Sequence, residues 1–246
     1  MSNSSLVTYV WTGDKSNSNA RTHAIDRITI HHMAGNGTLK SCFETLISRG
    51  GSVNYDIDTP GGIGVMIDED RRAWTSNSIP NDMRAVTIEV ANDKPSDAGG
   101  WHVSDKAYNS LIALCTDICK RHGKTKLLWL GTKEKTLAYA PKSNEMVITI
   151  HKWFAATGCP GAYLESKMSN IAAEVTRQLC STSNRVAATH GCYTYGSDCK
   201  GNPAVAGPYK KGDQWTIEKT MSYAGTTWGK IKSSDRWVRM EDVTKI

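Results

Sequence analysis

Two places in the 246-residue chain gather side chains that can bind a metal. The first is Ile28-Thr-Ile-His-His-Met-Ala-Gly35, a strand-like run ending in a histidine pair just before a glycine-containing loop. The second is Thr149-Ile-His-Lys-Trp-Phe-Ala-Ala-Thr-Gly-Cys-Pro-Gly161, in which His151 precedes Cys159 by eight residues and a Pro-Gly turn follows. Catalytic zinc takes three protein ligands from imidazole, thiolate and carboxylate and keeps a fourth position for water, whereas structural zinc wants four. Alternation along a strand turns only one of His31 and His32 toward such a site, without saying which. Glu89 is a further candidate, because its carboxylate interrupts the apolar run Val86-Thr-Ile-Glu-Val90. A carboxylate in that setting requires either a salt bridge or a raised pKa.

The elements that must position these groups are legible as hydrophobic periods. Three amphipathic helices are predicted. One starts at the candidate N-cap Thr38 and ends at Gly50 and Gly51. A second starts near Ser104 and carries Leu111, Ile112, Cys115, Ile118 and Cys119 on one stripe. A third follows Pro160 and Gly161 and lines up Leu164, Met168, Ile171, Val175 and Leu179. Short β-rich runs lie between them: Ile28 to His31, Val53 to Ile57, Gly64 to Ile67, Ala85 to Val90 and Val147 to His151. Strands interleaved with helices predict an α/β fold, a mixed central sheet flanked by helices. The polar run Ser181-Thr-Ser-Asn184 reads as a linker. Beyond it, residues 185–246 carry seven Tyr and Trp residues among short strand-like pieces, the pattern of a small β-barrel. The stretch from Lys124 to Met146 reads either as a rim to the site or as a surface hairpin.

Bulk composition is that of an ordinary globular chain, 39% hydrophobic and 22% charged. Of the net charge of +6, residues 185–246 supply +4, from ten basic and six acidic side chains. Such a tail suits an anionic partner: nucleic acid, a membrane surface or a cell-wall polymer. The first residues show no basic start followed by an apolar run, and no later stretch approaches a membrane span, so synthesis in the cytoplasm without a signal peptide and no membrane insertion are expected. Seven cysteines with no CxxC spacing point to free thiols and a metal ligand rather than a disulfide framework.

Four features in order, the strand-His-His-loop, Val53-Asn-Tyr-Asp-Ile57, Val86-Thr-Ile-Glu-Val90 and the His151 to Cys159-Pro-Gly segment, resemble the type 2 N-acetylmuramoyl-L-alanine amidases, the family of phage endolysins and peptidoglycan recognition proteins. The likeness runs through about residues 23–180. It implies a zinc ion held by His31, His151 and Cys159, with His32 as a packing neighbour. It implies Glu89 as general base and proton shuttle, Thr157 as a donor to the developing oxyanion, and Tyr55 as a site tyrosine. Thr75 stands where many relatives place a further site histidine. The implied reaction is zinc-dependent hydrolysis of the amide between N-acetylmuramic acid and L-alanine in peptidoglycan. The C-terminal part, through Thr227-Trp-Gly-Lys-Ile231 and Arg236-Trp-Val238, resembles a bacterial SH3-like wall-binding domain. The expected layout is therefore a catalytic domain at 1–181 and a wall-binding domain at 185–246, the latter able to hold anionic wall polymers, with no nucleic-acid partner. This layout fits a phage or prophage endolysin that reaches the wall from the host cytoplasm through a separate membrane pore. The alternative is a non-catalytic recognition protein on the same scaffold, against which the thiolate ligand Cys159 counts.

Overall fold

Strands of one mixed sheet carry or lead into His31, Tyr55, Glu89 and His151, and the computed structural model places these strands side by side. It describes residues 3–94, 96, 99–183, 185–196 and 204–246. The elements in chain order are β1 (Tyr9–Val10), β2 (Ser18–Ala20), β3 (Arg27–His32), α1 (Leu39–Ser48), β4 (Tyr55–Ile57), β5 (Ile63–Val65), β6 (Arg71–Ala73), α2 (Ile79–Asp82), β7 (Ala85–Val90), α3 (Asp105–Arg121), β8 (Lys126–Leu128), α4 (Lys133–Ala138), β9 (Glu145–Ile150), α5 (Gly161–Ser183), β10 (Arg185–Ala188), β11 (Cys192–Tyr195), β12 (Ala204–Tyr209), β13 (Gln214–Tyr223), β14 (Thr226–Ile231), β15 (Trp237–Arg239) and β16 (Val243–Lys245). The chain divides into two compact units, Met1–Thr176 and Arg177–Ile246.

In the first unit a seven-stranded sheet runs in the order β1-β5-β4-β7-β3-β9-β8. It is mixed, as expected. The pairs β4/β7, β7/β3, β3/β9 and β9/β8 are parallel and β4/β5 is antiparallel. Parallel strands are usually buried on both sides and apolar throughout. Here each central strand instead alternates. Ile28 pairs with Val86 and Ile148, and Ile30 with Ile88 and Ile150, on one face. Thr29 pairs with Thr87 and Thr149 on the other.

The apolar face is covered by α3. Its Leu111, Leu114, Cys115 and Ile118 are fully buried, and the Cys119 sulfur lies 3.8 Å from that of Met146 on β9. The polar face is held by direct bonds. Thr29 and Thr149 hydroxyls meet at 2.8 Å, and the Asn81 amide of α2 donates to Thr29 at 2.9 Å while accepting from Thr149 at 3.2 Å. Burying hydroxyls and amides this way is tolerable because each finds a partner. Phe43 of α1 anchors a small apolar cluster with Val53, Met66, Ile67 and Ala73 beside that face.

Helix starts follow the predicted caps. Thr38 accepts from Ser41 N–H, and Ser104 from Ala107 N–H. At Gly161, where α5 begins, φ is +82° and an added Cβ would sit 2.7 Å from Cβ of Trp101, so only glycine fits. Two expectations change. The helix α5 continues through Ser183, so the polar run after Leu179 is helical and not an open linker, and Asn184 lies outside the described residues. Adding residues to a formed helix brings one hydrogen bond each, which carries a polar end along. The 124–146 stretch is neither rim nor hairpin alone: β8 extends the sheet and α4 follows, capped by Thr132.

The second unit holds a seven-stranded sheet whose described pairings are antiparallel, in the order β12-β11-β15-β14-β13-β10-β16. Its core is Val186, Ala188, Cys192, Ile217, Val238 and Val243, with a second cluster of Trp228 and Trp237 against Tyr195. This antiparallel, half-barrel sheet agrees with the SH3-like expectation. Most of the aromatic side chains serve the interior, while Tyr193 and Tyr223 are 44% and 41% exposed. Among the described residues no helix is long and apolar enough to cross a membrane.

Candidate metal centre and active site

Register, more than any single motif, assembles the site. On the polar face Asp56 of β4 pairs with Glu89 of β7, and Glu89 with His31 of β3. Ile30 pairs with Ile150 of β9, so His31 and His151 come level at the strand ends. Four titratable side chains therefore stand in one row across the carboxyl ends of four strands, where open α/β sheets place their ligands.

His151 begins a single 3-10 turn, Phe154 N–H and Ala155 N–H both donating to its carbonyl. The loop then closes on itself, since Lys152 N–H donates to the Cys159 carbonyl at 3.1 Å. That closure is why an eight-residue separation places both side chains at one spot. His31, His151 and Cys159 present ligand atoms all within 4.8 Å of one another. The Cys159 sulfur is 3.6 Å from His31 Nδ1, and Glu89 Oε1 is 3.9 Å from the same nitrogen.

Burial sets the charge states. It lowers the His31 imidazole well below its ordinary range, with His151 and His32 adding to the effect, and it lowers His151 as well. The Cys159 thiol is pushed well up by burial and by Glu89, against donation from the His32 backbone. Glu89 is raised well above a usual carboxylate by burial and then by Asp56. Asp56 is raised in turn, chiefly by its own burial. Burial thus biases two imidazoles, a thiol and two carboxyls toward their uncharged forms, and His31 Nε2 and Glu89 Oε2 are buried without a hydrogen-bond partner. The two-nitrogen, one-sulfur donor set fits zinc, and a cation there supplies the charge that favours thiolate and carboxylate.

A cavity of about 1190 Å³ opens onto this row, lined by Cys42 of α1, by Arg49 just after that helix, by Trp74, and by Glu89, His151 and Cys159. Thr157 is exposed on its rim and accepts from Cys159 N–H at 3.2 Å, which leaves its hydroxyl hydrogen free to donate outward. His32 also reaches the cavity, buried and edge-on to the Trp101 ring with centroids 5.0 Å apart. Thr75 lines it too, but its hydroxyl is spent on the Ser52 carbonyl at 2.7 Å.

Tyr55 is the expected site residue that the fold does not bring there. It pairs with Ile88 on the apolar face, fully buried, and its hydroxyl donates to Glu69 Oε1 at 2.6 Å while accepting from Ser4 N–H. The strand alternates, so placing Tyr55 on the apolar face turns its neighbour Asp56 toward the site. Asp56 is the residue that reading by motif missed. Its signal was the one that drew notice to Glu89, a carboxylate inside an apolar strand.

Comparison with known proteins gives a family match. The sequence profile of the N-acetylmuramoyl-L-alanine amidase family matches residues 21–162, more than half of the chain. No curated protein matches the sequence significantly. Among solved structures, the chain is similar to the N-acetylmuramoyl-L-alanine amidase LysC from Clostridium intestinale URNW (20% identity, TM-score 0.43, covering 58% of this chain and 82% of that one). The endolysin amidase LysCS from the same organism matches at 17% identity and TM-score 0.46, over 66% of this chain and 93% of that one. An endolysin of the Thermus scotoductus bacteriophage Ph2119 matches at 13% identity and TM-score 0.44, over 65% and 92%.

Proposed function

Because the chain belongs to the N-acetylmuramoyl-L-alanine amidase family, we propose that it is a zinc hydrolase cutting the amide between the lactyl group of N-acetylmuramic acid and L-alanine in peptidoglycan. The observation that carries this reading is the convergence of His31, His151 and Cys159 beside Glu89, with Glu89, His151 and Cys159 lining one large cavity and His31 buried behind them. These three residues would hold the ion. When bound, zinc supplies Lewis-acid polarisation of water and carbonyl and the positive charge that lets Glu89 ionise.

The remaining steps belong to the chain. Glu89 takes a proton from the attacking water and returns it to the nitrogen of departing L-alanine, so that one carboxyl serves as base and then acid. Burial, and then the neighbouring Asp56, raise the proton affinity of the Glu89 carboxyl, which suits it to accept a proton from water. Thr157 donates its hydroxyl hydrogen toward the oxyanion, a weaker donor than an ammonium. His32 fills space against Trp101.

We assign the second unit to wall binding, with peptidoglycan-linked anionic polymers as its partners. The net charge of +4 over residues 185–246 and the exposed Tyr193 and Tyr223 support that role. A lytic enzyme of phage or prophage type, acting on the wall after release through a separate pore, is the biological setting this two-part layout favours. Mass spectrometry of digested walls tests the reaction: new free amino groups should appear on L-alanine, and their absence with zinc-loaded protein would sink the reading.

A further inference from the structure

A second cavity, of about 520 Å³, adjoins the first, and Asn77 and Ser78 line both. Three of its lining residues are cationic: Arg27, Arg84 and Lys133. No carboxylate is among the residues that line it. Asp26 lies close by, but both of its oxygens are taken by the Arg84 guanidinium. Arg27 is only 6% exposed, and the hydrogen bond its guanidinium makes among the described residues goes from Nη1 to the neutral amide oxygen of Asn81 at 3.2 Å. Lys133, at the start of α4, is exposed and makes no ion pair among the described residues. Leu137, Phe154 and Pro80 supply apolar wall between these charges.

A buried guanidinium is costly unless counter-charge lies near it. Around this hollow Arg27, Arg84 and Lys133 share one nearby carboxylate, Asp26, which is engaged by Arg84, so the hollow keeps an excess of positive charge suited to a negative group. We propose that this hollow is a substrate subsite for an oxyanion, carboxylate or phosphate, carried by the same wall polymer whose amide lies in the catalytic cavity. The inference rests on the amidase reading and adds to it a determinant of substrate choice. Asn77 and Ser78 line both cavities, which places the hollow next to the catalytic cavity, within reach of another part of an extended ligand bound there. The apolar lining suits a stem peptide bearing a carboxylate, and the cations alone suit a wall-linked phosphate.

Lys133 provides the test, because it is exposed and removing it disturbs no ion pair among the described residues. Lys133→Ala should raise KM on a muropeptide with free stem carboxylates roughly threefold, and Lys133→Glu up to about tenfold, with kcat unchanged. The same muropeptide with amidated carboxylates should not respond if the ligand group is a peptide carboxylate. A response confined to intact walls, and lost on walls stripped of phosphate polymers, would identify phosphate. Calorimetric titration of the free-carboxylate stem peptide and of inorganic phosphate into metal-free wild type and Lys133→Glu separates this proposal from the amidase reading. Weaker binding to the variant supports the subsite whether or not the protein cuts. Binding of neither probe, or equal binding to both proteins together with KM values within about twofold on every substrate, would overturn it.

Discussion

The two faces of the central sheet are built from the same strands and bury polar groups to opposite ends. At the edge of the apolar face, Glu69 is fully buried yet accepts from Tyr55, from both nitrogens of the Arg121 fork and from His122, at 2.5 to 2.9 Å. On the polar face the Thr29, Thr149 and Asn81 bonds are likewise complete, but toward the strand ends satisfaction stops. His31 Nε2 and Glu89 Oε2 have no partner there. Paired polar groups tie a fold together, whereas a cluster left incomplete costs stability and is kept where a ligand completes it.

That contrast can be broken or sharpened by experiment. His151→Ala removes one donor from the incomplete cluster. It should lower zinc content and reduce amide hydrolysis on the order of 10⁴-fold or more, read from metal analysis and release of free alanine amine. Chelation of the wild type should match it and be reversed by added zinc. Glu89→Gln keeps shape and metal while losing the proton acceptor, so turnover should fall about a hundred- to a thousandfold with zinc content unchanged. A variant retaining wild-type rate would show that the base lies elsewhere.

On the other face the expected losses are of stability, not chemistry. Ile88→Ala empties a fully buried site between Tyr55 and Ile30 and should cost about 2–5 kcal/mol in denaturant unfolding, with zinc content per folded molecule intact. Glu69 adds a pH signature. Burial alone would raise its carboxyl, but donation from His122, Arg121 and Tyr55 outweighs that and brings it from 4.5 to about 2. A depressed carboxyl stabilises the fold above its unfolded pKa. Roughly 3 kcal/mol should therefore be present above about pH 4.5 and be lost as pH falls toward 2. Melting curves across that window should flatten in Glu69→Gln. The smallest effect expected is at the rim of the site: Thr157→Val should slow turnover about tenfold with folding unaffected.

Much of this was legible beforehand. Helix caps at Thr38 and Ser104, the strands around His31, Glu89 and His151, and the α/β class follow from local periodicity and capping chemistry, which act within a few residues and need no partner. The convergence of His31, His151 and Cys159 was also within reach, because His151 and Cys159 lie on one short segment and the resemblance supplied His31. Tyr55 and Asp56 were not. The sequence presents both in one apolar strand, and only the register of β4 on β7 decides that the aspartate, not the tyrosine, stands next to Glu89. The same holds for Arg27, unremarkable in the chain until α2 and α4 bring Asn81 and Lys133 around it. The sequence by itself determined the elements and the chemistry they carry. Which face each side chain took, and whether it found a partner there, only the pairing of strands far apart in the chain decided, because a one-residue change of register sends every side chain to the opposite side.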